Sequence, residues 1–564
     1  MLKVDNLSVT YCQDNTKVPA VKETSLVLEP GQILGIIGES GSGKTTLGLA
    51  IMGILNSAAK VEGRITYNGV NLLELSPAQL NEYRWKHIAM VFQNGLETLN
   101  PVITVREQIL ECIARHLNMK GKEAGRRVSD LLEQVGLEPL VADCYPHQLS
   151  GGMRQKVLIA MALACDPKVL IVDEPTSSLD AISKAEIVRL LAKLQREKRF
   201  AMIVISHDFS VITRLTNKIC VMYQGCILEE GLTRDILKNP LHIYTRGLIN
   251  SSPSINPFQD LWGIPAATAA ATAEGCPFYP RCSQRLDICK DKRPRLEYVS
   301  LERKVACNRG GIITLLEGAG IDKTFTFKGR SISACKNCHM RVRSGEVVAL
   351  IGQSGSGKTT LASILSGYLE PDKGTVKFLG NTVKARELTS RPKGIQMVFQ
   401  DPFSSINDRF TVEQAVMEPL EILKLYSPVE RKERVKKLLS AVELPTDDDF
   451  LKRRCFTLSG GQRQRVSIAR SLILEPKLLI ADEISSMLDP STQANILRLL
   501  KGLQNSFGFA MIYITHDLDL ARKIADKLYV MHQGEIVEQG PAWEVFENPS
   551  SEFTRQLISS AGLL

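Results

Sequence analysis

At 564 residues the chain is too long for one hydrophobic core, and 44% hydrophobic with 23% charged residues is the composition of an ordinary globular protein. That excludes disordered, collagen-like and disulfide-scaffold classes. The net charge of +9 is spread along the chain as a mildly basic solvated surface, and no basic stripe with interleaved aromatics points to nucleic acid.

The N-terminal stretch, "MLKVDNLSVTYCQ", carries Asp5 early and has no long apolar core, so it does not read as a signal peptide. Further along, no apolar run approaches the ~18–20 residues that span a bilayer. The expectation is a chain that stays in the cytosol with its 13 cysteines mostly reduced. The first buried-strand pattern is "ILGIIG" at 33–38, and it runs into Gly38-x-x-x-x-Gly43-Lys44-Thr45. This is a complete P-loop. Its glycines, Gly38, Gly41 and Gly43, let backbone N–H groups turn inward around phosphate oxygens, with Ser40 and Thr46 beside them. Lys44 reaches the β- and γ-phosphates and the Thr45 hydroxyl ligates Mg²⁺.

Downstream, "VLIVDE" at 169–174 is a second buried strand. It ends in Asp173, placed to hold Mg²⁺, and Glu174, placed to take a proton from an attacking water. His207 ends a further apolar strand. Helical patterns between these runs suit βαβ units on a parallel sheet.

Residues 263–275, "GIPAATAAATAEG", read as a linker. Cys276, Cys282, Cys289 and Cys307 follow with the spacing C-x5-C-x6-C-x17-C. No C-x-x-C pair of the usual zinc type is present there, and four unconnected thiols or an iron–sulfur site are equally open on spacing alone.

Then the machine repeats. "ALIGQSGSGKTTL" at 349–361 returns the P-loop as Gly352, Ser354, Gly355, Gly357, Lys358, Thr359 and Thr360. Asp482 and Glu483 return Asp173 and Glu174, and His516 returns His207, at one offset of 309 residues. The chain is therefore a duplicated domain of about 250 residues rather than a short-period repeat. Cys335-Lys-Asn-Cys338 aligns with Val21 and Thr24 of the first copy and reads as strand packing, with a redox or metal role as the alternative.

"LSGGM" at 149–153 and "LSGGQ" at 458–462, each before a helical pattern, resemble the signature of ABC-type ATPases. Gln93 in "VFQNG" and Gln400 in "VFQDP" extend that resemblance over both halves. It implies an α/β fold of two P-loop NTPase domains of ABC type, each a parallel-sheet core with a small antiparallel sheet and a helical subdomain. The boundaries expected are 1–262, a linker and four-cysteine extension at 263–311, and 312–564. The resemblance also implies an intramolecular dimer of the two ATPase domains, with each ATP between one P-loop and the other signature. One site takes Lys44, Thr45, Gln93, Asp173, Glu174 and His207 with Ser459, Gly460, Gly461 and Gln462. The other takes Lys358, Thr359, Gln400, Asp482, Glu483 and His516 with Ser150, Gly151, Gly152 and Met153. Gln93 and Gln400 join the Mg²⁺ ligands, and Tyr11 and Phe325 fit the family's base-stacking aromatic. Ile484 and Ser485 depart from the usual Pro-Thr, and Met153 from the commonest Gln, but none removes a phosphate, metal or base group. Two competent sites are expected.

"GCPFYPRCSQRLDIC…VAC" resembles the C-terminal extension of the ATPase subunits of dipeptide, oligopeptide and nickel importers. That implies a [4Fe–4S] cluster on the four cysteines, as assigned in some members of that group. It further implies an importer motor working with two integral-membrane permease subunits and an extracytoplasmic solute-binding protein, peripheral on the cytoplasmic face of the cell membrane. The coupling surfaces expected are 94–101 and 401–408. A soluble tandem ATPase acting on ribosomes or DNA, and an exporter motor, are the alternatives.

Overall fold

The computed structural model describes residues 1–13, 16–93, 98–117, 119–255, 264, 269, 274–327, 330–383, 392–401, 405–484 and 489–563. Most of the expected linker, parts of both expected coupling loops, and Ser485 lie outside these residues. The chain forms two compact units. Unit 1 comprises Met1–Ile255 with Asp287–Gly311 and the described part of 271–279, and unit 2 contains Pro280–Leu286 and Ile312–Leu564.

In unit 1 an antiparallel sheet is built on β1 (Leu2–Gln13) and β2 (Thr16–Leu28), with β4 (Ala59–Tyr67) and β5 (Val70–Asn71) in the order β2-β1-β4-β5. Along β1 the apolar side chains Leu2, Val4, Leu7 and Val9 are fully buried, and they meet Leu47 and Ile51 of α1 (Lys44–Met52) in one core. The second sheet holds β3 (Ile33–Ile37), β6 (Ile88–Val91), β7 (Val169–Asp173), β8 (Ala201–Ser206) and β9 (Lys218–Tyr223), mutually parallel in the order β9-β3-β8-β7-β6. Every residue of β3, β7 and β8 is buried, which is why these strands read as unbroken apolar runs rather than alternations. Helices α2 (Val105–Leu117), α3 (Gly121–Gln134) and α4 (Gly151–Ala162) pack together as a helical layer.

The sheet does not stop at β9. An antiparallel strand β10 (Cys226–Leu232) follows, and the cysteine extension adds β11 (Glu297–Ser300) and β12 (Arg303–Val305), giving β11-β12-β10-β9 at that edge. The join is electrostatic as well as hydrogen-bonded. Arg303 Nη2 stands 2.6 Å from the fully buried Glu229 carboxylate, which also accepts the N–H groups of Leu241 and His242 at 2.9 and 3.0 Å. Lys218 and Lys304 both pair with Glu230 next door. A buried carboxylate that is paired and hydrogen-bonded is tolerated, but one stripped of its cation is strongly destabilising. Arg303→Ala is therefore expected to destabilise unit 1 by about 3–5 kcal/mol, read as a lowered first transition in thermal unfolding.

Unit 2 repeats the plan. Its antiparallel sheet is β14-β13-β16-β17, from β13 (Thr314–Phe327), β14 (Arg330–Arg343), β16 (Lys373–Phe378) and β17 (Asn381–Thr382). Its core sheet is β18-β19-β20-β15-β21-β22, from β15 (Val347–Ile351), β18 (Ile395–Val398), β19 (Leu478–Asp482), β20 (Ala510–Thr515), β21 (Lys527–His532) and β22 (Glu535–Pro541). Between them lies α5 (Lys358–Ser366). In the helical layer, α6 (Val412–Ile422) and α7 (Pro428–Ala441) bury Val412, Val416, Leu420, Val435 and Leu439 on one face, whereas α8 (Gly460–Leu472) is buried on several faces, with Val466, Ser467, Ile468 and Ala469 all inside. Glu538, the counterpart of Glu229, accepts from Ser550 and Ser551 instead of an arginine. Among the described residues, only unit 1 carries the added strands.

Candidate active site

Each P-loop leaves the C-terminal end of the central strand, β3 or β15, and winds into the first turn of α1 or α5. Two glycines on each loop are dictated by backbone proximity. A Cβ on Gly38 would come 2.1 Å from the Met222 carbonyl oxygen, and one on Gly43 would come 2.2 Å from that of Ala20. The counterparts are Met531 O at 2.1 Å from Gly352 and Ala334 O at 2.0 Å from Gly357. Gly43 and Gly357 also sit at φ +96° and +104° as the N-caps of α1 and α5. Unpaired N–H groups of the first helical turn thus face the mouth of the loop, together with the positive end of the helix dipole.

Lys44 Nζ arches back to donate to the carbonyls of Gly38 and Glu39 at 2.9 and 2.8 Å. Lys358 does the same to Gly352 and Gln353 at 3.0 and 2.9 Å. Burial holds both ammonium groups below the ordinary lysine range, while the neighbouring acids Glu174 and Asp173, or Glu483 and Asp482, oppose the shift.

Those acids end β7 and β19. Asp173 is fully buried, and neither of its carboxylate oxygens has a hydrogen-bond partner in the chain. Burial pushes its carboxyl up to about 6, against the pull of the adjacent Thr45 hydroxyl. Asp482 is raised for the same reason beside Thr359, and its Oδ1 is likewise partnerless. A buried, unsatisfied carboxylate beside a P-loop hydroxyl is a donor set made for a hard cation, so the residues present fit Mg²⁺.

The next residue turns the backbone sharply. Glu174 and Glu483 take φ +48° and +42°, a left-handed conformation that glutamate rarely adopts, and both do so at the same point of the fold. In unit 1 the Glu174 carboxylate accepts the backbone N–H of His207 at 3.0 Å and lies 2.7 Å from its Nδ1. In unit 2 Glu483 accepts from Gln400 Nε2 at 3.0 Å, and His516 Nδ1 stands 3.5 Å away. Thus the structure brings His207, Glu174, Asp173, Lys44 and Thr45 together in one unit, and His516, Glu483, Gln400, Asp482, Lys358 and Thr359 in the other. Gln93 is exposed just beyond β6.

The signature serines cap helices. Ser150 Oγ accepts the N–H of Met153 at 3.3 Å at the start of α4. Ser459 accepts that of Gln462 at 3.3 Å, and the Gln462 side chain answers by accepting the Ser459 N–H at 3.1 Å. Met153 cannot close such a box, so only the second signature has both halves. Gly151, Gly152, Gly460 and Gly461 leave the first turn bare of side chains. Tyr11 on β1 is half-buried, and Phe325 on β13 is 42% exposed with Lys323 Nζ 5.9 Å from its ring centroid.

A residue that sequence reading missed braces the first P-loop. Tyr244 is fully buried, and its hydroxyl accepts the Glu39 N–H at 2.9 Å. Tyr223 and Phe278, the latter from the cysteine segment, pack on its ring at 4.6 and 5.7 Å between centroids. At the matching positions unit 2 has His532 stacked on Phe553, so the hydroxyl is lost there. Only the alignment of the two copies could have exposed that difference.

Of the four extension cysteines, three lie in unit 1. The Cys276 N–H donates to the Cys289 carbonyl at 2.8 Å. Burial, then the nearby Cys289 and Cys307, pushes the Cys276 thiol up to about 12. Asn308 Nδ2 donates to Cys289 Sγ at 3.5 Å. Cys282 belongs to the segment grouped with unit 2, and among the described residues no three His, Cys, Asp or Glu side chains already stand at metal-ligand positions.

Comparison with known proteins gives this geometry its context. Residues 21–177 and 335–486 match the ABC transporter family, and 228–289 match the oligopeptide/dipeptide transporter C-terminal region. The glutathione import ATP-binding protein GsiA of Escherichia coli is 36% identical over 99% of this chain and 89% of its own. The oligopeptide transport ATP-binding protein OppD of Mycobacterium tuberculosis is 35% identical over 99% of this chain and 98% of its own. Among solved structures, dimeric MJ0796, a bacterial ABC transporter cassette, matches 42% of this chain and 99% of its own at 31% identity and a TM-score of 0.38.

Proposed function

The chain belongs to the ABC transporter family and is an ATPase of that family, and from this premise we propose that it is the motor of an importer for di- or oligopeptides or a related small solute. The observation that carries the solute class is the peptide-transporter region at 228–289, the stretch that leads into the cysteine extension. Glutathione, itself a small peptide, is in the name of one relative, and nickel is the other solute the extension suggests.

The chemistry at each site follows from the side chains. Lys44 or Lys358 exchanges its loop carbonyls for the β- and γ-phosphate oxygens, joined by loop N–H groups. Glu174 or Glu483 accepts the proton of a water aligned with the γ-phosphorus, and the P–O bond to ADP breaks as the new one forms. His207 and His516 orient that carboxylate. When bound, Mg²⁺ neutralises the bridging phosphate charge; Thr45, Gln93 and Asp173, or Thr359, Gln400 and Asp482, would hold it. We assign Ser150–Met153 and Ser459–Gln462 to the γ-phosphate of the opposite site, because a helix N-terminus bare of side chains accepts an anion.

No helix among the described residues is long and apolar enough to cross a membrane; the importer reading assigns the membrane path to two separate permease subunits. A cleft of about 440 Å³ beside the Gln93 loop, lined by Trp85, Asn100, Glu111, Arg115, His116 and Met161, is the docking place we assign to a permease's cytoplasmic helix. The expected result of mild-detergent extraction from native membranes is co-purification of two polytopic permeases and a solute-binding protein. Ribosomal or nucleic-acid factors without a permease would sink the transport reading. For the cysteines we propose a [4Fe–4S] cluster with a structural or redox-tuning role; what supports it is the importer-type spacing of the four cysteines and the Cys276 N–H bonded to the Cys289 carbonyl, while among the described residues their side chains do not already stand at metal-ligand positions. Anaerobically prepared protein should contain iron and labile sulfide in about equal amounts, and zinc alone would refute it.

A further inference from the structure

The Cys335–Cys338 pair lies behind the second P-loop and has no role in the mechanism above. Both residues are buried, at 1% and 0% exposure, in the core that β13, β14 and α5 share. Ordinarily residues three apart on a strand point to opposite faces. Here a bulge corrects this: Cys338 pairs with Ile321 and Cys335 with Lys323, so three steps on β14 oppose two on β13, and Asn337 takes φ +46°. The two thiols consequently share the core face, and each acts on the other's titration, raising Cys335 and lowering Cys338.

The pair is also wired to the nucleotide loop. Cys338 Sγ donates to the Gly534 carbonyl at 3.1 Å, and the Lys336 N–H donates to the same oxygen at 2.8 Å. Gly534 in turn gives its N–H to the carbonyl of Ser356, inside the P-loop, at 3.0 Å. Ala334, the neighbour of Cys335, supplies the carbonyl that seals Gly357. Unit 1 builds the same relay without sulfur: Thr24 Oγ1 donates to the Gly225 carbonyl at 3.1 Å, and Gly225 N–H reaches Ser42 O at 2.9 Å. The thiols therefore stand where the other copy carries Val21 and Thr24, in an otherwise identical strut.

We propose that Cys335 and Cys338 form a thiol–disulfide site that responds to small peroxides, and that closing the disulfide weakens nucleotide binding at the second P-loop only. At rest Cys338 keeps the S–H it gives Gly534; its neighbour Cys335 lowers the Cys338 thiol, whereas Cys338 and then burial hold the Cys335 thiol up, so Cys338 is the first of the two to lose its proton and react. Cys338 sulfur attacks one peroxide oxygen, the O–O bond breaks, and a sulfenic acid and one water result. Cys335 sulfur then attacks Cys338 sulfur, the S–O bond breaks, and a second water leaves with the Cys335 proton. Two thiols and one peroxide become one disulfide and two waters. β14 is the edge strand of its sheet and Ile332 on it is exposed, so this edge is the side from which a small peroxide is to reach the pair. Once joined, Cys338 has no S–H to give Gly534, and the strut behind Ser356 loses a member.

The test uses the full chain carrying Lys44→Ala, which leaves the second P-loop as the nucleotide binder and rests on the ATP-site reading above. Hydrogen peroxide should remove two hydrogen masses from the peptide holding Cys335 and Cys338 and weaken ATP binding about fivefold to tenfold, reversibly with dithiothreitol. C335V/C338T, which installs the residues of the first copy, should bind ATP as the reduced protein does and ignore peroxide. A chain carrying Lys358→Ala, with the first site intact, should also be indifferent. Absence of the disulfide, a disulfide with unchanged affinity, or an equal loss in C335V/C338T each overturns the proposal. Failure of the reduced Lys44→Ala chain to bind ATP overturns the site assignment itself, and so is told apart from failure of the switch.

Discussion

The double variant Glu174→Gln/Glu483→Gln should hydrolyse ATP about 10²–10⁴-fold more slowly than the unaltered chain while still binding nucleotide. The amide keeps the size of the carboxylate and its reach to His207 and Gln400, so the loops keep their shape. What it cannot do is take a proton. Steady-state phosphate release, with nucleotide affinity measured in parallel, separates the two effects: loss of binding along with turnover would mean that these glutamates shape the site rather than act in it. The single variants bear on the equality of the two sites. Glu174 is held by histidine at 2.7 Å, whereas Glu483 leans on Gln400 at 3.0 Å with His516 at 3.5 Å. Both arrangements fix the carboxylate on a left-handed residue at the strand end, so the two single variants should cost turnover comparably. A severe loss from one and indifference from the other would show that one site is idle.

The second large effect is expected from a methyl group. Gly43→Ala and Gly357→Ala each place a Cβ about 2 Å from a carbonyl oxygen of the neighbouring antiparallel strand, at a φ that alanine resists. Overpacking and backbone strain together should cost about 2–5 kcal/mol, and relief is available only by moving the loop. Each variant should lose at least about tenfold in ATP affinity at its own site and lower the unfolding temperature of its own unit. Retained affinity with unchanged melting would contradict the loop geometry.

Much of this architecture could be read directly from residues. "VLIVDE" and "AMIVIS" are unbroken apolar runs because their strands are buried on both faces, and Gly43-Lys44-Thr45 is legible because few other sequences satisfy both a tight turn and a phosphate. Long-range pairs were not legible. Glu229 and Arg303 look in sequence like two solvated charges among many, and only folding shows them to be each other's neutralising partner. Tyr244 resembles any helix aromatic until its hydroxyl is found on the P-loop. Cys335 and Cys338 read as strand packing, and both are buried in the core. The bulge that turns them to one side depends on a positive φ at Asn337 that its side chain does not announce.

The Glu229–Arg303 pair also sets a timetable for synthesis. The two residues are 74 positions apart, so at ~5–20 residues per second the carboxylate leaves the ribosome about 4–15 s before the guanidinium that neutralises it. During that interval β10 is a sheet edge without β12, and Glu229 has only the N–H groups of Leu241 and His242 as partners. Nascent unit 1 therefore lacks its neutralising cation until Arg303 emerges, after Cys276, Cys282 and Cys289 but before Cys307. A gene shortened to end at residue 262 would freeze the protein in that unfinished state, and its product should be found in the insoluble fraction.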